Sequence, residues 1–324
     1  MNRALAPSAM AVEDAHARIR AMARETPLLP HAELAQRSGT AQAWLKCENL
    51  QHTGSFKLRG ALHKLLQLGA DLRSRGVVVA STGNHAKAVA HGLRELGGTG
   101  LVFAPTTASP AKLDSVRAQG LEVRLVGADA LESEQTARAY AADHGLSYVS
   151  PYNDTDVVAG QGTVAIEIDQ QRPGLDSIYV AVGGGGLVGG MAAWLKGRAR
   201  GTEIVGCIPA ASPAMLRCVA AGRVVDVECG PTLSDGTAGG VEAGALTVAL
   251  CRDHVDRWIQ VEEDAIAEAM RLVRAGTGME VEGAAGVAVA ALLQDADRAR
   301  GRSVAAVLCG GNLDAATRAK VFAG

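Results

Sequence analysis

Lys57 lies in the run Thr53-Gly54-Ser55-Phe56-Lys57-Leu58-Arg59-Gly60, and two further polar-glycine segments follow it, Ser81-Thr82-Gly83-Asn84-His85 and Gly183-Gly184-Gly185-Gly186. A lysine amine is a cation at neutral pH unless its surroundings depress its pKa; once neutral, it can form a Schiff base with a carbonyl compound. Glycine loops that open helices offer unpaired N–H groups, which suit a phosphate dianion. An aldehyde carrying a phosphate matches both halves of this arrangement. Pyridoxal phosphate is such a compound.

The glycine loop also admits a competing reading. Gly184-x-Gly186-x-x-Gly189 matches the dinucleotide-binding fingerprint, with a strand before it and a helix after it. That fingerprint also needs a carboxylate at the end of the next strand to bind the ribose. Here the strand expected over Ile204 to Ile208 runs into Pro209-Ala210-Ala211, and Glu203 lies at its wrong end. Phosphate binding survives that mismatch, and a tight structural turn is the plainer alternative.

These segments need a scaffold. Short β-branched runs alternate with longer stretches of helical period, which predicts an α/β fold built on open, twisted, mostly parallel sheets flanked by helices. Strands are expected at Trp44 to Cys47, Val77 to Ala80, Leu101 to Ala104, Glu122 to Val126, Ile178 to Val182, Ile204 to Ile208 and Val304 to Leu308. Helices are expected at Val12 to Ala23, Phe56 to Leu68, His85 to Leu96, Leu131 to His144, Leu187 to Arg198 and Asp264 to Ala275. The expected organisation is a large domain, 1–52 with 147–324, and a small domain, 53–146, inserted within it. A ligand would sit in the cleft between them.

Composition narrows the partners. A net charge of −2 with scattered lysines and arginines gives no basic stripe, and 3% aromatic residues leave few platforms for stacking bases, so nucleic acid is not expected. No apolar run is long enough to span a membrane, and the N-terminus lacks a secretion pattern. The six cysteines, Cys47, Cys207, Cys218, Cys229, Cys251 and Cys309, include no C-x-x-C pair. Reduced thiols in a cytoplasm are the expectation, without a zinc knuckle.

Ser55-Phe56-Lys57-Leu58-Arg59-Gly60 resembles the lysine segment of the fold-type II pyridoxal-phosphate enzymes, in the serine/threonine dehydratase and serine racemase branch. Lys46-Cys47-Glu48-Asn49, Ala159-Gly160-Gln161-Gly162-Thr163 and Cys309-Gly310-Gly311-Asn312 extend the resemblance over nearly the whole chain. Leu58 stands where relatives that make cysteine or threonine usually carry Asp. The resemblance implies that Lys57 holds the cofactor, that Gly183, Gly184, Gly185, Gly186 and Leu187 seat its phosphate, and that Phe56 and Gly236 flank its ring. It also implies that Asn84 sits at the phenolic oxygen, that Cys309 faces the ring nitrogen, and that Ser81 to His85 receive the substrate carboxylate. Glu282 matches an acidic residue near the ring.

The activity so implied is dehydration of a β-hydroxy-α-amino acid, of the L-threonine or L-serine type, to a 2-oxo acid and ammonia. Two alternatives stay open: an amino-acid racemase with Thr82 as the second acid/base, and a non-catalytic module that binds pyridoxal phosphate or an amino acid. Racemases of the group have Ser at that position, so Thr82 keeps the hydroxyl but adds a methyl group. The family's divalent-cation ligands are replaced by Pro209-Ala210-Ala211-Ser212-Pro213-Ala214-Met215, so no metal is expected there. A homodimer is expected from the resemblance alone.

Overall fold

A computed structural model describes residues 7–322 other than 109 and 129. Two sheets carry the chain. The larger has the order β1-β2-β10-β7-β8-β9, from strands β1 (Leu28–Pro30), β2 (Gln42–Lys46), β7 (Ser177–Ala181), β8 (Glu203–Pro209), β9 (Arg257–Val261) and β10 (Ser303–Val307). The smaller has the order β5-β4-β3-β6, from β3 (Val77–Ala80), β4 (Gly100–Ala104), β5 (Glu122–Leu125) and β6 (Ser147–Tyr148). Every pairing is parallel except β1 with β2. The expected α/β architecture with mostly parallel sheets is thus the one observed. The sequence Ser-Ile-Tyr-Val-Ala of β7 is buried throughout, as a central parallel strand covered on both faces must be.

Strand β6 adds a correction. Ser147 and Tyr148 pair with Val77 and Val78 of β3, so this short strand belongs to the small sheet, although residue 147 had been expected to resume the large domain. The short strands β1 and β6 and the half-buried edge strand β9 lacked the apolar runs that mark central strands. The lysine helix spans Lys57–Arg75 and breaks at Gly69, whose φ of 72° and ψ of 170° are not helical. Its first segment therefore ends where the expected helix did.

Helix Thr155–Gln171 holds the two halves of the candidate site together. It was not among the expected helices, because Val157 to Ile168 are all buried and leave no polar face to reveal a period. Its glycines allow backbone to meet backbone. A Cβ on Gly160 would lie 2.7 Å from Arg59 O and from Gly60 Cα of the lysine helix, and one on Gly162 would lie 2.7 Å from Gly190 O of the helix Gly186–Gly197. The Gln161 side chain also accepts a hydrogen bond from the Gly60 amide at 3.1 Å. The lysine segment and the glycine loop are thereby docked on one rod.

A buried ionic cluster reinforces this contact. Arg59 reaches Glu48 at 2.7 Å and Glu167 at 2.6 Å, and Lys46 reaches Glu167 at 2.6 Å and the Thr26 carbonyl at 2.6 Å. All four charged side chains are at most 3% exposed. For Lys46, loss of water outweighs the attraction of Glu167 and Glu48 and lowers its pKa. Burial alone would raise the pKa of Glu167, but the charges and hydrogen bonds of Arg59 and Lys46 together hold it below the usual carboxylate range.

Removing one partner from such a cluster leaves buried charge uncompensated, so Glu167→Ala is expected to cost about 3–5 kcal/mol in urea unfolding. A carboxylate whose folded pKa is depressed stabilises the fold above its unfolded pKa, and that contribution is lost as pH falls through the folded value. The gap between wild type and variant should therefore narrow on acidification. A gap that widens in acid contradicts this assignment.

Candidate active site

The site assembles at the C-terminal ends of parallel strands, where open α/β sheets place their ligands. The chain passes from β3 through Ser81, Thr82 and Gly83 into the helix Asn84–Leu96, and from β7 through Val182 to Gly185 into the helix Gly186–Gly197. After β10 comes Cys309-Gly310-Gly311-Asn312. Gly310 bridges to Ser55, and the Phe56 amide donates to the Cys309 carbonyl at 3.0 Å. The lysine segment is thus stitched to the end of a central strand.

Lys57 Nζ donates to the Pro151 carbonyl at 2.8 Å and lies 5.3 Å from the centroid of the Phe56 ring. Loss of water lowers its pKa to about 8, against the opposing pull of Cys309, Glu134 and Glu282. Next to Pro151, the Tyr152 ring covers the glycine loop. A Cβ on Gly184 would fall 2.3 Å from Tyr152 Cγ, and one on Gly183 2.9 Å from Thr237 Cα. Gly185 has φ of +82°, a left-handed conformation that disfavours any side chain. Among the described residues, no protein acceptor meets the amides of Gly183 to Val188, whereas Gly189 N donates to Gly185 O.

Glu282, Asn84 and Asn312 form the opposite wall. Asn84 Nδ2 donates to both Glu282 oxygens at 3.0 and 2.9 Å, and Asn312 Nδ2 donates to Asn84 Oδ1 at 2.7 Å and to the Thr53 carbonyl at 2.9 Å. Burial raises the Glu282 pKa to about 7, although the Asn84 bond pulls it down. Gly236 lies beside this carboxylate; a Cβ there would be 3.5 Å from Glu282 Oε1. The Cys309 thiol is buried, and burial followed by the nearby Glu282 charge raises its pKa well above the ordinary value. It stays neutral.

The Ser81 to His85 loop joins the same cleft through its helix. Gly83 is the residue before the helix, and its amide donates to Ser81 Oγ at 3.2 Å. His85 Nε2 donates to the Val149 carbonyl at 2.8 Å, while Nδ1 is buried without a partner among the described residues. Burial, then the charge of Lys57, lowers the His85 pKa to about 3, so the ring is neutral. Among the described residues, no hydrogen bond involves the Thr82 hydroxyl.

This donor set fits a phosphorylated pyridine aldehyde: unpaired amides opening a helix, a glycine cradle, a half-buried amine of lowered pKa and a neutral thiol. Residues 19–310 match the family described as Pyridoxal-phosphate dependent enzyme, and the chain belongs to it. Its enzymes depend on pyridoxal phosphate, and the chain shares their two-sheet fold. The chain is 36% identical over 303 residues to an L-threonine ammonia-lyase of Thermotoga maritima, covering 94% of this chain and 75% of that protein. It is 32% identical to an L-threo-3-hydroxyaspartate ammonia-lyase of Saccharomyces cerevisiae, covering 97% and 95%. Among solved structures, a serine racemase from maize superposes with a TM-score of 0.90 at 29% identity, covering 97% of this chain and 96% of that one.

Sequence reasoning passed over Glu134, Arg138 and Glu242, which line the cleft near Tyr152 but sit in no glycine motif. Among the described residues there is no group of three His, Cys, Asp or Glu side chains able to hold a metal, and no helix long and apolar enough to cross a membrane. All six cysteines are free. Gly184→Ala would drive a methyl group into the root of the Tyr152 ring, an overpacking that costs about 1–3 kcal/mol. The expected outcome is a lower urea midpoint together with weaker pyridoxal phosphate binding in an absorbance titration. Unchanged binding would contradict the tight seat described for this loop.

Proposed function

We propose that this chain is a pyridoxal-phosphate-dependent ammonia-lyase that dehydrates a β-hydroxy-α-amino acid of the L-threonine or L-serine type to a 2-oxo acid and ammonia. The observation that carries this reading is the half-buried Lys57 amine, which donates to the Pro151 carbonyl and has its pKa lowered to about 8 by loss of water. The identity to the Thermotoga maritima ammonia-lyase supports the choice of reaction. The bound cofactor supplies a carbonyl carbon for the amine and an electron sink for the carbon that loses its proton.

The chain's own groups divide the remaining work. The amides of Gly183, Gly184, Gly185, Gly186 and Leu187 would hold the phosphate, Phe56 and Gly236 would flank the ring, and Asn84 would serve the phenolic oxygen. Cys309 would offer the ring nitrogen a neutral thiol. A carboxylate there would keep that nitrogen protonated, whereas a neutral thiol would leave the ring a weaker electron sink. The amides and hydroxyls of Ser81, Thr82, Gly83, Asn84 and His85 receive the substrate carboxylate at a helix N-terminus. Lys57 Nζ, in its neutral form, accepts the α-proton. Water is lost from the β-carbon, and hydrolysis of the released enamine in solvent gives the 2-oxo acid and ammonia.

A second reading, racemisation, is favoured by the Thr82 hydroxyl, which has no partner among the described residues, and by the likeness to maize serine racemase. A threonine on the face opposite Lys57 would return the proton from the other side. We place the protein in the cytoplasm as a homodimer. Its free thiols agree with a reducing compartment, and sedimentation tests the dimer.

Incubation with L-threonine or L-serine is expected to release 2-oxo acid and ammonia. D-serine accumulating with little pyruvate would contradict the lyase reading in favour of racemisation. Lys57→Ala should abolish the visible absorption of the bound cofactor and lower kcat by at least about a hundredfold, with the circular dichroism of the fold unchanged. Because only a neutral amine accepts a proton, kcat should decline as pH drops below about 8. Thr82→Ala should reduce any racemisation more than dehydration; equal losses remove its acid/base role.

A further inference from the structure

Asn312, Asn84 and Glu282 form a relay of hydrogen bonds whose direction is fixed at its ends. Asn312 lies shortly after β10, Asn84 opens the helix Asn84–Leu96, and Glu282 precedes the helix Gly283–Gln294. Asn312 Nδ2 donates to the Thr53 carbonyl at 2.9 Å and to Asn84 Oδ1 at 2.7 Å, and Asn84 Nδ2 donates to the two Glu282 oxygens at 3.0 and 2.9 Å. The backbone amide of Asn312 reaches Glu282 Oε2 at 3.3 Å. Lys87 Nζ lies 3.4 Å from Asn312 Oδ1, and an ammonium only donates, so that atom is the accepting end of the side chain.

An asparagine amide can turn end for end unless its partners tell oxygen from nitrogen. Here they do. A backbone carbonyl only accepts, so Thr53 requires the NH2 end of Asn312, and that NH2 end requires the oxygen of Asn84. The NH2 end of Asn84 is left for Glu282, whose side chain is free for it because it makes no cap hydrogen bond to its own helix. Since the sequence of demands starts at a backbone carbonyl, it holds whatever the charge on Glu282. The two oxygens of one carboxylate lie too close together to take both diverging N–H bonds of Asn84. One N–H is therefore left over, and among the described residues no other acceptor meets it.

We propose that Asn312 is a positioning residue for the cofactor: anchored on the Thr53 carbonyl, it turns the Asn84 amide so that the phenolic oxygen meets an N–H and not a carbonyl oxygen. This rests on the place given to Asn84 under the lyase reading. A donor stabilises the phenolic oxygen as an anion, whereas an acceptor favours its protonated form. Bound through Lys57, the cofactor absorbs visible light in the first form and near-ultraviolet light in the second. The direction of the relay thus has a readout apart from turnover.

The test is the ratio of visible to near-ultraviolet absorbance of the holoenzyme at fixed pH. Asn312→Asp replaces the NH2 end with an oxygen, allows Asn84 to turn, and should lower the ratio by at least about fivefold. Asn312→Ala removes the anchor without reversing it and should lower the ratio by less. With Asn84→Ala already in place, Asn312→Asp should change the ratio no further, which separates the turning of the amide from the charge that Asp brings. A role in packing alone would reduce the amount of cofactor bound and leave the ratio as it was. A ratio that neither Asn312 variant moves, or that Asn312→Asp moves equally in the Asn84→Ala background, overturns the proposal. The lyase reading fails separately: the expected band response with no 2-oxo acid from L-threonine or L-serine sinks that reading and upholds the relay, and 2-oxo acid release with an unmoved ratio does the reverse.

Discussion

The close contact of three helices at glycines is the constraint on which the site depends. Gly60 meets Gly160, and Gly162 meets Gly190, so the lysine helix and the helix that opens at the glycine loop both rest on Thr155–Gln171 at backbone distance. A methyl group at either central position would push one half of the site away from the other. The Arg59, Glu167, Glu48 and Lys46 cluster locks the same junction with charge-assisted hydrogen bonds. Residues far apart in sequence, Lys57 and Gly184, thereby share one frame. Tyr152 then closes the gap between them, with its ring on Gly184 and its neighbouring carbonyl on Lys57 Nζ.

Exclusion of water is what converts this frame into a reactive site. Burial is the leading cause of the shift at Lys57, Cys309, Glu282 and His85 alike, and each moves toward its uncharged form. The amine becomes available as a nucleophile and base near neutral pH. The Cys309 thiol and the His85 imidazole remain neutral in the same cleft. The amides of the glycine loop, unpaired among the described residues, are the counterweight, since they leave a cradle for negative charge in the same cleft.

Much of this was legible in the sequence because the motifs carry their own physics. The glycine loop reads as a helix entrance, and the structure places the helix at Gly186; the strands Val77–Ala80 and Ser177–Ala181 follow from β-branched, buried runs. The expected helix ending at Leu68 stops at the left-handed Gly69, where the structure breaks the lysine helix. What escaped was of two kinds. Helix Thr155–Gln171 is buried on every side, so periodicity could not report it, and Ala159-Gly160-Gln161-Gly162-Thr163 stood as a motif without an element. Glu134 and Glu242 escaped because their significance lies in a contact across 108 positions of sequence, through Arg138 and two tyrosines, that no local pattern encodes.

The family, the two-sheet fold and the cleft chemistry converge on the same reaction class. That reaction depends on a covalent bond between Lys57 Nζ and the cofactor aldehyde carbon. Borohydride reduction of the holoenzyme, proteolysis and mass mapping locate that bond directly. A phosphopyridoxyl group on the peptide containing Lys57 is the predicted result; the label on any other lysine, or on none, contradicts the account.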